Sequence, residues 1–130
     1  MKNNIFFYIK YLFYFSFIIL FILYLFPGSL IGFFLYGDLG RQPDLISNPL
    51  GTSINHLIFF FYLSILGFLL RNNNKKFIYS FSFLFLISII LELLHYFIPN
   101  RAFELNDLYA NSLGVMLAFL MFKFFKKLQS

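Results

Sequence analysis

Four long apolar stretches run along the chain, and each is bounded by polar or helix-breaking residues. They cover residues of about 5–26, 53–70, 77–98 and 105–125. An α-helix rises about 1.5 Å per residue, so about 20 apolar residues cross a hydrocarbon core of about 30 Å. The pattern therefore predicts an all-α, polytopic membrane protein whose four transmembrane helices form one domain over residues 1–130.

Short polar segments separate these stretches. Pro27 ends the first, and residues 30–36 are apolar but too short to span, so we expect them at the interface or covering the bundle. A polar loop follows over residues 37–52. A basic turn at residues 71–76 and a tight connection at residues 99–104 make the last two stretches antiparallel neighbours.

Basic residues indicate the orientation in the membrane. If the N-terminus is inside, the inside segments hold eight of the ten basic residues, and the outside loops hold only Arg41 and Arg101. Cytoplasmic loops carry the excess of Lys and Arg in membrane proteins. We therefore predict that both the N- and C-termini are cytoplasmic. A cleaved signal peptide is the competing interpretation of the basic start, but the first apolar run is long and no A-x-A site follows it.

Composition supports the membrane assignment and excludes several functions. The chain is 61% hydrophobic and 12% charged, against about 25% charged in soluble domains. Its net charge of +5 sits mostly at the ends of the apolar stretches rather than in one patch, so no nucleic-acid partner is predicted. The absence of Cys excludes disulfides, thiolate metal sites and a Cys nucleophile.

Polar residues inside or beside the apolar stretches are the candidate functional positions. In the predicted topology they converge on the outer half of the bundle, and they are His56, Glu92, His95, Arg101, Asp107 and Asn111. A charge near the centre of a bilayer costs at least about 2.5 kcal/mol on insertion scales, so such residues usually face a protein interior or a cavity. Together they predict an outward-facing polar pocket.

Helical spacing places these residues on shared faces. The two faces are Ser88, Glu92 and His95 on the third stretch, and Asp107, Asn111, Gly114 and Ala118 on the fourth. Small residues on the second face allow a neighbouring backbone to come close. We expect Glu92 and Asp107 to flank Arg101 in a partly buried ion-pair cluster.

The same residues admit several interpretations. Glu92 and Asp107 are candidate catalytic acid–base groups if burial raises the pKa of one of them. In a purely structural interpretation, Asp107 caps the last helix, Asn111 bonds between helices, and the two His have no notable partner. His56, Glu92, His95 and Asp107 are possible metal ligands, but no HExxH-type spacing exists, so neither a metal nor another cofactor is predicted.

The order of these residues resembles the VanZ-like family, named for a teicoplanin-resistance protein. That family has a His at the start of one span, a Glu near the end of the next, an Arg in the turn, and Asp-x-x-x-Asn-x-x-Gly opening the last. The matching positions here are His56, Glu92, Arg101, Asp107, Asn111 and Gly114, and the resemblance covers residues 52 to about 122.

Three positions depart from the family pattern. His95 stands where the family has Gln, Thr52 where it often has Asp, and Ala118 where a later Gly is found. The resemblance implies a role in the bacterial cell envelope, within the cytoplasmic membrane, and reduced susceptibility to lipoglycopeptides.

Three functions remain open from the sequence. The first is binding of an envelope lipid or lipid-linked glycan, with Arg101 holding an anionic headgroup and the helices holding the acyl part. The second is a membrane-embedded enzyme that modifies such a lipid, with Glu92 or Asp107 as the base. The third is a structural membrane subunit in which the polar residues only fix the packing.

Overall fold

The described part of the chain is entirely helical in its regular structure. A computed structural model describes residues 2–43 and 51–129. Its helices are α1 (Lys2–Leu25), α2 (Leu30–Tyr36), α3 (Ser53–Asn73), α4 (Phe81–Leu94) and α5 (Leu105–Leu128), with a 3-10 turn (Phe77–Tyr79) before α4. The prediction of an all-α protein is confirmed. Asp44 and Pro49 of the predicted polar loop lie outside the described residues.

Three helices are long and apolar enough to cross a membrane. They are Asn4–Leu25 in α1, Ser53–Asn73 and Leu105–Leu128. The remaining apolar helix, α4, has only 14 residues, or about 21 Å at helical rise, which is shorter than a hydrocarbon core. The structure therefore supports a membrane protein with three long candidate spans and one shorter apolar helix.

Local hydrogen bonds explain why α4 is shorter than the apolar stretch of residues 77–98. Ser80 has extended backbone angles, and its Oγ accepts a hydrogen bond of 3.1 Å from Phe83 N, so the helix begins there. After Leu94 the amide N–H groups of residues 95–97 bond to carbonyls three residues earlier. This 3-10-type turn ends the helix at Leu94, and His95 is the first residue after it.

Small residues allow α3 and α5 to pack closely. Those two helices form the most extensive contact in the bundle. A Cβ added at Gly114 would lie 2.5 Å from Leu57 O and 3.0 Å from Phe61 N, so only glycine fits. Ala118, one turn further along α5, is fully buried. The predicted face of small residues on the last helix is confirmed, and it faces α3.

The segment after α1 folds back through a short capped helix. Gly28 adopts a positive φ of 100°, as the turn after Pro27 requires. Ser29 Oγ accepts a hydrogen bond of 2.9 Å from Gly32 N, which begins α2. A Cβ on Gly32 would overlap Arg41 O, so the loop after α2 lies directly against this helix.

Candidate functional site

A buried group of polar side chains lies where α1 ends, α3 begins, α4 ends and α5 begins. We name it the polar cluster, and it consists of Tyr24, His56, Glu92, His95, Asp107 and Asn111. Glu92 and Asn111 are fully buried, and Asp107 is 4% exposed. Buried polar groups of this kind need hydrogen-bond partners, and the partners determine where the protons lie.

The Tyr24 hydroxyl is the centre of the polar cluster. It donates a hydrogen bond of 2.7 Å to Asn111 Oδ1. His56 Nδ1 lies 2.8 Å from the same hydroxyl oxygen. Since the single hydroxyl hydrogen is used for Asn111, His56 Nδ1 must carry a proton and donate it to Tyr24. The second ring nitrogen of His56, Nε2, faces Asp107 on α5.

His95 and Glu92 require one proton between them. His95 Nε2 lies 3.1 Å from the backbone carbonyl oxygen of Tyr24, and a carbonyl only accepts, so this nitrogen carries a proton. His95 Nδ1 lies 3.2 Å from Glu92 Oε1. If His95 were neutral and Glu92 ionised, His95 Nδ1 and Glu92 Oε1 would both be acceptors with no proton between them. One further proton is therefore held by this pair, either on Nδ1 or on the Glu92 carboxyl group.

Glu92 also accepts hydrogen bonds from two other groups. Glu104 N lies 3.2 Å from Oε1, and Asn111 Nδ2 lies 3.4 Å from Oε2. The same Asn111 nitrogen lies 3.3 Å from Ser88 O. The N–H groups of Glu104 and Asn111 therefore donate to the two oxygens of the Glu92 carboxyl group, one to each.

Asp107 bonds across to α3 rather than capping its own helix. Its Oδ1 accepts a hydrogen bond of 2.5 Å from Ser53 Oγ. The N-cap of α5 is Glu104, whose side chain makes no capping hydrogen bond. The capping interpretation of Asp107 is therefore wrong. Its Oδ2 lies 3.6 Å from His56 Nε2, which is too long for a hydrogen bond, and the two form an ion pair only when His56 carries protons on both ring nitrogens.

Arg101 does not form the ion-pair cluster that the sequence suggested. Its Nε donates a hydrogen bond of 3.2 Å to Phe26 O, and its Nη2 donates to Leu23 O. The last carbonyls of a helix have no partner within that helix, and α1 ends beside Arg101, so the guanidinium satisfies them. Within residues 2–43 and 51–129, no ion pair joins Arg101 to Glu92 or Asp107.

The charge on Arg101 is nevertheless influenced by the polar cluster. Burial is the largest influence and lowers the pKa of Arg101, while the side chains of Tyr24, Glu92 and Asp107 raise it. A guanidinium stays charged in either case and has five N–H donors. Its Nη1 has no hydrogen-bond partner in the described part of the chain, so N–H groups remain for a further acceptor.

Three members of the polar cluster meet closely enough to be considered as metal ligands. One ligand atom each of His56, Glu92 and Asp107 lies within 4.8 Å of the others. Ligands bound to one Zn²⁺ at about 2.0–2.2 Å lie closer together than this, so the side chains would have to move inwards. The prediction of no metal rests on the sequence spacing, and it stays a prediction.

A cavity of about 120 Å³ lies beside the polar cluster, beneath α2. Its lining includes the polar side chains of Tyr24, Asn55, His56, His95 and Arg101 and the apolar side chains of Leu20, Leu23, Leu30, Ile31 and Phe59. Within residues 2–43 and 51–129, the buried Oδ1 atom of Asn55 has no hydrogen-bond partner. The cavity therefore combines the Arg101 guanidinium and other polar groups with apolar side chains.

The structure brings all six sequence-derived site residues to one end of the bundle, as their spacing predicted. It adds Tyr24 and Ser53, which the sequence did not single out. Tyr24 is one of nine Tyr in the chain. Only its position three residues before Pro27, at the end of the first apolar stretch, indicates that it lies at the same end of the bundle as Glu92. The hydroxyl of Ser53 lies at the start of α3, where helix-capping residues are common, so nothing in the sequence marked it.

Comparison with known proteins identifies the family. Neither the curated proteins nor the solved structures contain a match to this chain. The family model described as VanZ/LLP1 matches residues 3–126, which include α1 and the whole polar cluster. This match is longer than the segment from Thr52 that the motifs alone covered. The chain belongs to the VanZ/LLP1 family.

Proposed function

We propose that this protein binds the anionic headgroup of an envelope lipid or lipid-linked glycan in the cavity beside the polar cluster. Through this ligand it acts in the bacterial cell envelope and affects susceptibility to glycopeptide antibiotics such as teicoplanin. The observation that carries the proposal is that the cavity is lined by the Arg101 guanidinium together with apolar side chains. Family membership supports the envelope role.

The size of the cavity limits what it holds. At about 120 Å³ it is smaller than the 300–1,000 Å³ of typical small-molecule pockets, so it fits a headgroup-sized fragment. The acyl or prenyl chain of the ligand would lie outside, against exposed apolar residues of α2 such as Ile31 and Leu35. This arrangement suits an amphiphile whose chain stays in the bilayer.

Arg101 is the residue assigned to the anionic group. It lines the cavity, it is fixed by the carbonyl groups at the end of α1, and its Nη1 faces no acceptor within the described residues. Hydrogen bonds between a guanidinium and a phosphate oxygen are about twice as strong as neutral ones. His56 and His95 also line the cavity, but their ring nitrogens face Tyr24, Glu92 and Asp107, so Arg101 is the residue that holds the anionic group.

Filling the cavity without changing the polar cluster tests the binding proposal. Ile31→Trp narrows the cavity, and Phe34→Trp changes an 81% exposed residue of the same helix that does not line it. A polyprenyl phosphate added to the purified protein in neutral detergent should raise the melting temperature of the wild type and of Phe34→Trp. A ligand at 100 times its Kd stabilises by about 2.7 kcal/mol.

The response of Ile31→Trp decides the result. We expect little or no rise in its melting temperature, while its melting temperature without ligand stays close to that of Phe34→Trp. An equal rise in all three proteins would contradict binding at this cavity. The comparison uses differences between variants, so any ligand bound elsewhere on the protein contributes equally to each.

A second candidate function is a membrane-embedded enzyme acting on the same class of lipid. The proton that His95 and Glu92 hold between them favours this alternative, because His95 lines the cavity and can exchange that proton with a ligand. In this case Glu92→Gln or Asp107→Asn should abolish product formation while most lipid binding remains. A third candidate, a structural subunit, predicts that binding and envelope phenotype survive every substitution in the polar cluster.

The membrane arrangement belongs to the same proposal. We propose that α4 and its flanking turns form a fourth crossing between α3 and α5, with both termini in the cytoplasm of a bacterium. The supporting observations are the apolar sequence of α4 and the excess of basic residues at the opposite end from the polar cluster. The cavity then opens towards the outer leaflet, where envelope glycans are assembled.

A further inference from the structure

A second pocket lies at the other end of the bundle, where α3 ends, α4 begins and α5 ends. We name it the basic pocket, and it has a volume of about 430 Å³. Its lining combines basic side chains, Ser80 and phenylalanine rings. No lining residue belongs to the polar cluster, so the proposed function does not involve this pocket.

Four cations line the basic pocket, and no carboxylate of the described residues neutralises them. They are Arg71 in the last turn of α3, Lys75 after that helix, and Lys123 and Lys126 on α5. Among the described residues, the acidic ones are Asp38, Glu92, Glu104 and Asp107, which lie in the segments at the opposite end of the helices. No ion pair joins any of the four cations to a carboxylate there. Like charges gathered in one place repel, and a bound anion relieves this repulsion.

The cations retain donors for such an anion. Arg71 uses Nη1 for a hydrogen bond of 3.3 Å to the backbone carbonyl of Lys76, which leaves its other N–H groups. Ser80 is 6% exposed, and its Oγ accepts a hydrogen bond from Phe83 N. The hydroxyl hydrogen of Ser80 has no acceptor within residues 2–43 and 51–129, so the pocket also contains a neutral donor.

Aromatic rings form the inner wall of the basic pocket. The rings of Phe81 and Phe119 lie 4.6 Å apart, and Phe68 lies 5.7 Å from Phe119. Lys123 Nζ lies 4.6 Å above the Phe119 ring in a cation–π contact, which holds the charge at the edge of this wall. A ligand of this pocket therefore combines anionic oxygen atoms with hydrocarbon, as a phospholipid does.

We propose that the basic pocket binds the phosphate headgroup of an anionic glycerophospholipid from the leaflet at this end of the bundle. The cations and Ser80 hold the phosphate oxygens, and the first carbon atoms of the acyl chains pack on the phenylalanine rings. Basic pockets between transmembrane helices on the cytoplasmic side are suited to anionic headgroups. In the proposed topology this is the cytoplasmic leaflet, opposite to the cavity.

Native mass spectrometry of the full chain, released from mixed micelles of phosphatidylglycerol and phosphatidylcholine, tests the assignment. The variant is Arg71→Gln with Lys123→Gln, which removes two lining charges and keeps both side chains polar. The matched control is Lys10→Gln with Lys76→Gln, which removes two exposed charges from the same end outside the pocket. Glycerol phosphate, which lacks acyl chains, serves as a competitor.

The wild type and the control should retain phosphatidylglycerol in preference to phosphatidylcholine. The Arg71/Lys123 variant should lose this preference by roughly thirty-fold, at about 1 kcal/mol for each charge. Equal retention by the variant and the wild type would overturn the proposal, and so would an equal loss in the control. Complete displacement by glycerol phosphate would show a site for soluble phosphate instead of a lipid.

Ile31→Trp separates this proposal from the cavity. It should leave the retention of phosphatidylglycerol unchanged, because Ile31 lies at the opposite end of the bundle from the basic pocket. A loss of this retention in Ile31→Trp would assign the bound phospholipid to the cavity and overturn the basic pocket as its site.

Discussion

At the scale of single residues, the Tyr24 hydroxyl joins three helices. It donates to Asn111 on α5 and accepts from His56 on α3, while its own backbone carbonyl accepts from His95. The Tyr24 hydroxyl thereby fixes the protonated nitrogen of His56, and the Tyr24 backbone carbonyl fixes that of His95. His56 is left with Nε2 facing Asp107, and His95 is left with Nδ1 facing Glu92.

Removing the hydroxyl should therefore destabilise the polar cluster. In Tyr24→Phe the buried Asn111 Oδ1 loses its donor, and an unsatisfied buried group costs about 1–3 kcal/mol. The matched control is Tyr8→Phe, whose side chain is exposed. Thermal unfolding in detergent should give a lower melting temperature for Tyr24→Phe only, and equal values for both variants would contradict the role of the hydroxyl.

Glu104 provides a pH-dependent test beside the polar cluster. Burial first, and then the carboxylates of Asp107 and Glu92, raise the pKa of Glu104. A raised carboxyl pKa means that the folded state disfavours ionisation, so stability falls as the pH rises through that pKa. Glu104→Gln removes this penalty and should melt at a higher temperature than the wild type at pH 7.

The difference between Glu104→Gln and the wild type should disappear as the pH falls below the ordinary pKa of a glutamate. In that range the wild-type carboxyl group is protonated in both the folded and the unfolded state. Asp38→Asn, a substitution at an exposed residue, is the control. It tests whether removal of any carboxylate gives the same pH dependence of the melting temperature. A gain for Glu104→Gln that persists unchanged at low pH would contradict the electrostatic explanation.

At the scale of elements, the contact between α3 and α5 aligns the polar cluster. Gly114→Ala places a methyl group against Leu57 O and Phe61 N, which are backbone atoms that cannot rotate away. Overpacking of this kind typically costs about 1–3 kcal/mol. The variant should unfold at a lower temperature than Ser112→Ala, a substitution two residues away at a partly exposed position. Equal melting temperatures for Gly114→Ala and Ser112→Ala would contradict a close contact between α3 and α5 at Gly114.

The spacing of apolar and polar residues predicted which helices form better than it predicted where each helix begins and ends. The spacing of Ser88, Glu92 and His95 correctly placed all three on one buried face, because a helix fixes that geometry locally. The apolar stretch of residues 77–98 gave no sign that Ser80 would interrupt it by capping α4. The partners of Arg101 were also not predictable, since the carbonyl groups that it binds belong to the backbone and have no signature in the sequence.

At the scale of the whole molecule, the two ends of the bundle differ in charge and in their cavities. The end with the polar cluster contains the described carboxylates, while the other end contains the basic pocket. This asymmetry supports an orientation in which the basic end faces the cytoplasm. The polar cluster and the cavity then face outwards.

The orientation has a direct test because the chain contains no Cys. A membrane-impermeant thiol reagent applied to intact cells should label Gly40→Cys from outside. A separate single-cysteine variant, Asn73→Cys, is also at an exposed position and should be labelled only after the membrane is opened. The reverse pattern would place the polar cluster on the cytoplasmic side and contradict the proposal of an outward-facing cavity.

The most direct test of the central claim is the melting temperature of Asp107→Asn. The claim is that the polar cluster serves the proposed ligand of the neighbouring cavity and is not kept to hold the helices together. Asparagine keeps an oxygen for Ser53 Oγ and offers an N–H towards His56 Nε2, while it removes a charge that is costly to bury. We expect Asp107→Asn to melt at or above the temperature of the wild type. A melting temperature several degrees lower would mean that the carboxylate holds the bundle together, and would contradict the account.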